Sequence, residues 1–144
     1  MDFSSILQDA KTIISEFKSQ NNDGIVIIRW ATATGKSRLS VELSEFFDIE
    51  VISSDSRQIF RKMDIGTDKI SAEIRKKIPH HQIDIVDPDE TYTAGQWKEN
   101  ADHQVDEILA RGKFPFIVGG TGLYIDIIYK NFSLPECPPD YALR

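Results

Sequence analysis

Four short apolar runs divide this chain of 144 residues, and a helix-like stretch follows each of them. "IVIIR" (25–29), "IEVISS" (49–54), "HQIDIV" (81–86) and "FPFIVGG" (114–120) are too short for buried helices and rich in β-branched and aromatic residues, as buried strands are. After Ser37, Leu39, Leu43, Phe46 and Phe47 recur on one helical face, and "SAEIRKKI" (71–78) reads as a helix stopped by Pro79. Residues 91–112 make the best helix: Thr93 and Gln96 stand at capping-box spacing, Trp97, Ala101, Val105, Ile108 and Leu109 share a face, and Gly112 closes it. "LYIDIIY" (123–129) is a further short helix. Strands that alternate with helices must run parallel and be joined by crossovers, so the expected fold is α/β: a parallel sheet between two helical layers.

An amphipathic helix precedes the first strand. Phe3, Ile6, Leu7, Ala10, Ile13, Ile14 and Phe17 fall at spacings of three and four, which predicts one apolar face over residues 1–23, ended by "KSQNNDG". Its polar face is not especially basic, so packing on the domain's flank is the expected role, ahead of binding a membrane surface. The last stretch, "SLPECPPDYALR", is Pro-rich and ends without a structural stop signal, so it reads as the start of something further. The expected organisation is a helical extension (1–23), a catalytic domain (24–134) and the Pro-rich beginning of another region (135–144).

A net charge of −6 argues against a surface that binds nucleic acid by charge all over. A local basic patch is compatible with it, since Arg57, Arg61, Lys62, Lys69, Arg75, Lys76 and Lys77 cluster in one third of the chain; the alternative is an ordinary solvated helix face. The single cysteine, Cys137, makes no internal disulfide. No apolar run reaches membrane-spanning length, which leads to the expectation of a soluble, cytoplasmic protein without membrane contact.

The first strand runs into "WATATGKS" and then a helix, the arrangement of a phosphate-binding loop. Backbone amides from Thr32, Ala33, Thr34 and Gly35 and the positive end of the following helix would converge on an anion. Lys36 would neutralise phosphate oxygens, and the Ser37 hydroxyl would ligate a magnesium ion. Trp30 occupies the position where the Gly-x-x-x-x-Gly-Lys-Ser pattern has its first glycine. If the backbone there needs a positive φ, a side chain costs roughly 1–2 kcal/mol. The indole either turns outward and spares the site, or closes it, or reflects a reassigned codon, because Gly and Trp codons differ by one base.

Two more stretches carry chemistry. Asp55 follows the second strand in "SSDSRQIFRKMDIGTDK", at the carboxyl end where open parallel sheets bind ligands; the plainer role for it is a helix cap. The fourth strand ends in Gly119-Gly120-Thr121, where a nucleotide hydrolase usually carries a magnesium-binding Asp. Glycine there permits close approach and Thr121 offers a hydroxyl.

In order along residues 25–134, "ATATGKS", "SSDSRQIFRKMDIGTDK", "HHQIDIVDPDETYTAGQW" and "GKFPFIVGGTGLYI" closely resemble the segments of the tRNA dimethylallyltransferases, also called tRNA isopentenyltransferases. The resemblance implies attack by the exocyclic amine of an adenosine beside the anticodon on the allylic carbon of dimethylallyl diphosphate. It makes Asp55 the general base, with Thr121 meeting the same adenosine and Ser56, Arg57 and Gln58 touching the tRNA anticodon stem-loop around it. Lys36, the loop amides and magnesium on Ser37 would hold the leaving pyrophosphate, and Arg144 resembles an arginine near the start of the family's tRNA-gripping insertion. Trp30 and Ala31 depart from the family's Gly-Pro, and the insertion and C-terminal part that grip tRNA do not follow Arg144.

Three other functions compete. An adenylate isopentenyltransferase is a related class, against which the run 55–58 speaks. A kinase or nucleotide hydrolase with the same loop lacks its strand-end Asp, and a catalytically inactive binding module would account for Trp30. Among lesser features, His80-His81 has no third residue spaced to complete a metal site, "DIVDPDE" reads as a solvated loop, and Trp97 reads as core.

Overall fold

The computed structural model describes residues 2–29, 35–64 and 69–134. In chain order the elements are α1 (Phe3–Gln20), β1 (Val26–Arg29), α2 (Lys36–Ser44), β2 (Ile49–Ser53), α3 (Ala72–Lys77), β3 (His80–His81), α4 (Ala94–Ala110), β4 (Phe114–Gly119) and α5 (Gly122–Tyr129). The four strands form one parallel sheet in the order β1-β4-β2-β3, so β4 is inserted between β1 and β2.

Alternation along the strands sorts the core into two layers. Ile49 and Val51 of β2 and Phe114, Phe116 and Val118 of β4 face one side, where Leu43 of α2, Ile78 after α3 and Ile14 of α1 complete the packing. Ile52 and Ile117 face the other side, against Trp97, Ala101 and Ile108 of α4 and Tyr124 of α5. Right-handed crossovers require this division: β1 to β2 to β3 steps one way with α2 and α3 on one face, and the return to β4 places α4 on the opposite face. The expected α/β fold with a preceding helix is therefore present.

Local signals act as expected in α4, where Thr93 Oγ1 accepts from the Gln96 amide at 3.1 Å and Gln96 Oε1 accepts from the Thr93 amide at 2.8 Å. At its far end Gly112 adopts φ +73°, and the amides of Gly112 and Lys113 close onto Leu109 and Ile108.

One expectation needs correction. The third strand is only His80–His81, because Gln82 (φ +64°) and Asp84 (φ +55°) turn the chain out of extended geometry. Residues 84–86 instead run along residues 58–61, with amides of Asp84 and Ile85 donating to the carbonyls of Gln58 and Ile59. On α1 the seven apolar residues do not all bury: Leu7, Ala10 and Ile14 pack inward, whereas Ile13 is 65% and Ile6 38% exposed. A stripe that wide exceeds the arc one neighbouring layer covers. Phe17 stacks on Phe114 with ring centroids 6.4 Å apart, and Lys11 lies 3.5 Å over the Phe46 ring.

Candidate active site

The parallel strands β1, β4 and β2 end at one edge of the sheet, the edge at which open α/β folds bind ligands. The loop after β1 is described from Gly35 onward; Trp30, Ala31, Thr32, Ala33 and Thr34 lie outside the described residues, as does Arg144. Gly35 caps α2 with φ +88°, and a Cβ added there would meet nothing within 4 Å. The glycine is thus required by backbone conformation and not by space. Gly35 has no side chain to cap the helix, whose first turn carries Lys36 and Ser37 at its positive end. Ser37 is fixed through its carbonyl, which accepts from the Ser40 hydroxyl at 2.9 Å.

Asp55 stands two residues beyond β2, and its Oδ1 accepts from the Arg57 amide at 2.9 Å. This turn orients the carboxylate and presents the exposed Ser56 and Arg57 at the rim. Gln58 turns the other way: it is 9% exposed, and its Oε1 accepts from the Ser53 hydroxyl at 3.1 Å. Its side chain supports the loop from beneath.

The loop after β4 is tied directly to that after β2. Thr121 donates its amide to the Ser54 carbonyl at 3.0 Å, and its Oγ1 accepts from the Ser56 amide at 3.0 Å. Gly119 makes this closeness possible, since a Cβ there would lie 2.6 Å from the Ser54 carbonyl carbon and 2.7 Å from its oxygen. Asp55 and Thr121, far apart in sequence, thus belong to one stitched surface.

Tyr124 is the neighbour that sequence reasoning passed over. It lies three residues after Thr121 on α5, hence on the same helical side, and its ring stacks on the buried Trp97 at 4.6 Å between centroids. Trp97 donates its indole N–H to the Ser53 carbonyl at 3.0 Å, which confirms it as core. Burial pushes the Tyr124 hydroxyl above its ordinary value, with Tyr92 and the negative Asp55 adding to the effect. The spacing from Thr121 was the available signal.

The remaining candidates have structural partners. His80 Nδ1 lies 2.7 Å from the Ile78 carbonyl, and His81 Nε2 lies 2.7 Å from Glu50 at the opposite end of the sheet. Of the basic cluster, Lys69 and Arg75 turn inward onto Asp84, while Arg57, Lys62, Lys76 and Lys77 stay at the surface. No group of three His, Cys, Asp or Glu able to hold a metal occurs among the described residues. The Ser37 hydroxyl is an oxygen donor of the kind that suits a hard cation such as magnesium alongside phosphate oxygens and water.

A protein-family model described as IPP transferase matches residues 58–144, more than half of the chain. The chain belongs to the IPP transferase family. It is 47% identical over 120 residues to the tRNA dimethylallyltransferase of Dictyoglomus turgidum and 50% identical over 120 residues to that of Thermotoga neapolitana. These matches cover 83% of this chain but 37% and 39% of the relatives. The crystal structure of full-length tRNA isopentenylpyrophosphate transferase from Bacillus halodurans superposes with a TM-score of 0.76 at 43% identity, over 84% of this chain and 40% of that one. A eukaryotic dimethylallyltransferase captured acting on tRNA gives 0.68 at 37% identity, over 71% and 25%. This IPP transferase chain thus spans about two fifths of the curated relatives it matches.

Proposed function

We propose that this chain carries the catalytic core for transfer of a dimethylallyl group from dimethylallyl diphosphate to the exocyclic amine of an adenosine beside the tRNA anticodon. The observation that carries the reading is the bond from the Ser56 amide to Thr121 Oγ1, which joins the Asp55 turn to the Gly-Gly-Thr turn on the ligand-binding edge of the sheet. Membership of the IPP transferase family supports it, as do relatives named for this transfer.

In this reading the amine nitrogen attacks the allylic carbon, a carbon–nitrogen bond forms, and the carbon–oxygen bond to diphosphate breaks. Asp55 takes the proton that the amine loses, its carboxylate held by the Arg57 amide. Thr121 positions the adenosine, and Ser56, Arg57 and Gln58 meet the RNA around it. Thr32, Ala33, Thr34, Gly35, Lys36 and Ser37 hold the diphosphate, where negative charge develops as it leaves. Magnesium on Ser37 would offset that charge. The adenosine must leave its stack to reach Asp55. Residues 24–134 form the catalytic unit, residues 1–23 an extension packed on its flank, and residues 135–144, with Arg144, lead toward tRNA contacts. None of the helices described here is long and apolar enough to cross a membrane, and the work is expected in the cytoplasm.

Dimethylallyl transfer from labelled diphosphate to an anticodon stem-loop, with Asp55→Ala alongside, tests this. Label in the adenosine that disappears with Asp55→Ala supports the proposal. Release of phosphate from ATP without prenylation of RNA would point to a hydrolase instead.

A further inference from the structure

Lys69 is almost wholly buried, with 6% of its side chain exposed, yet it is far from any described part of the diphosphate loop in the sequence. Its ammonium donates to three acceptors: the Phe60 carbonyl at 2.6 Å, Asp64 Oδ1 at 3.0 Å and Asp84 Oδ1 at 2.5 Å. An ammonium has three hydrogens, so all its donor capacity is spent within the protein. Asp84 is completed from its other oxygen by Arg75 at 2.8 Å.

The two segments joined here are informative. Residues 60 and 64 continue directly from the turn that carries Asp55, Ser56 and Arg57, and Asp84 sits in the irregular stretch after β3 with φ +55°. The same stretch receives residues 58–61 through main-chain bonds: Asp84 N to Gln58 O at 3.1 Å, Ile85 N to Ile59 O at 2.8 Å and Arg61 N to Val86 O at 2.8 Å. The Arg61 side chain adds bonds to the carbonyls of Asp84 and Ile85, both at 3.1 Å. The Asp55 turn therefore has two anchors: Thr121 on one side and, through residues 58–64, the Lys69–Asp84–Arg75 clamp on the other.

We infer that Lys69 is a positioning residue for RNA binding, holding residues 55–64 in the shape that presents Ser56 and Arg57 to the anticodon stem-loop. The inference rests on the proposed function. It assigns Lys69 no contact with substrate, because its hydrogens are already committed. Burial alone would lower its pKa, but bonds from Asp84 and Asp64 outweigh this and raise it, so the clamp stays charged across the neutral range. Of the groups facing it, Asp64, Asp84 and Arg75 are the titratable ones among the described residues.

Lys69→Met keeps the length of the side chain and removes the charge; Asp84→Asn weakens the same clamp from the other end. The full chain and both variants are compared by amide hydrogen exchange, by binding of an anticodon stem-loop RNA and by binding of dimethylallyl diphosphate. In Lys69→Met, the amides of Ser56, Arg57, Asp84 and Ile85 should exchange at least tenfold faster while those of β4 do not change. RNA affinity should fall about tenfold and diphosphate affinity stay within twofold. The double variant should be no worse than the weaker single one, since both break one network. Unchanged exchange at Ser56 and Arg57 would overturn the inference, as would an equal loss of both ligands together with faster exchange throughout β4. If the unaltered chain binds no RNA, the functional reading fails at that step, and the exchange pattern alone still decides whether Lys69 sets the turn.

Discussion

The Thr121 hydroxyl oxygen accepts the Ser56 amide at 3.0 Å, so a residue at the start of α5 sets the backbone of the turn that displays Asp55. Thr121→Val keeps the shape and removes the acceptor. Losing one such bond costs roughly 0.5–1.5 kcal/mol of stability, small beside a domain's total. In the proposed reaction its effect on transfer should be larger, because the amine and Asp55 would have to align closely. A single-turnover assay is expected to show the transfer step slowed by about tenfold or more, with diphosphate affinity unchanged.

Gly119 at the end of β4 lies against the Ser54 carbonyl just beyond β2. Gly119→Ala would push a methyl into the Ser54 carbonyl, and overpacking of this kind costs roughly 1–3 kcal/mol. The damage should be local, displacing Thr121, whose amide is bonded to that same carbonyl. Ser54→Ala makes the opposite test: the Ser54 hydroxyl is buried and has no partner among the described residues, so its removal should leave stability unchanged or raise it. Urea midpoints should fall for Gly119→Ala and hold or rise for Ser54→Ala.

Glu50, at the far end of the sheet, is 3% exposed and is met by Arg111 at 2.7 and 3.1 Å, by His81 at 2.7 Å and by Lys113 at 3.3 Å. Burial alone would raise its pKa, but the bonds from Arg111, His81 and Lys113 win and lower it from 4.5 to about 2. A carboxylate with a depressed native pKa stabilises fully above its unfolded value and loses that contribution as pH falls through the native one. Stability should therefore drop between about pH 5 and pH 2, by an amount on the order of 3 kcal/mol. Glu50→Gln should be less stable at pH 7 and show a flatter profile in that window, read from urea midpoints at several pH values.

The elements legible in the sequence were those whose local and tertiary preferences agree. Thr93 and Gln96 fix the start of α4 by themselves, and the largely apolar runs of β2 and β4, buried along their whole length, suit strands covered on both faces. The run at 81–86 misled, because its apolar residues bury while positive φ at Gln82 and Asp84 bends it alongside residues 58–61. Asp55 and Thr121 stood out through position and residue type, and so did Lys36 and Ser37. The pairings that assemble them did not: the Thr121–Ser56 bond and the Lys69–Asp84 clamp span 65 and 15 residues. Lys69 read as one more surface cation, since nothing in a linear pattern says which lysine meets two carboxylates and a carbonyl.

Lys36 and Ser37 occupy the first turn of α2, behind a glycine that provides no side-chain cap. An anion placed there gains from the amide dipoles and from the Lys36 charge together. Lys36→Met should therefore lower dimethylallyl diphosphate affinity by about tenfold or more, since a charge-assisted contact is worth roughly 1.5–3 kcal/mol. Ser37→Ala should act differently, reducing the gain in affinity that magnesium brings while leaving metal-free binding nearly intact. Trp30→Gly belongs in the same calorimetric series, because it reports on the position where the loop departs from the family's glycine. Tighter binding by Trp30→Gly would mean that the indole restricts the loop. Equal binding would mean that the contacts made from Gly35 onward carry the affinity.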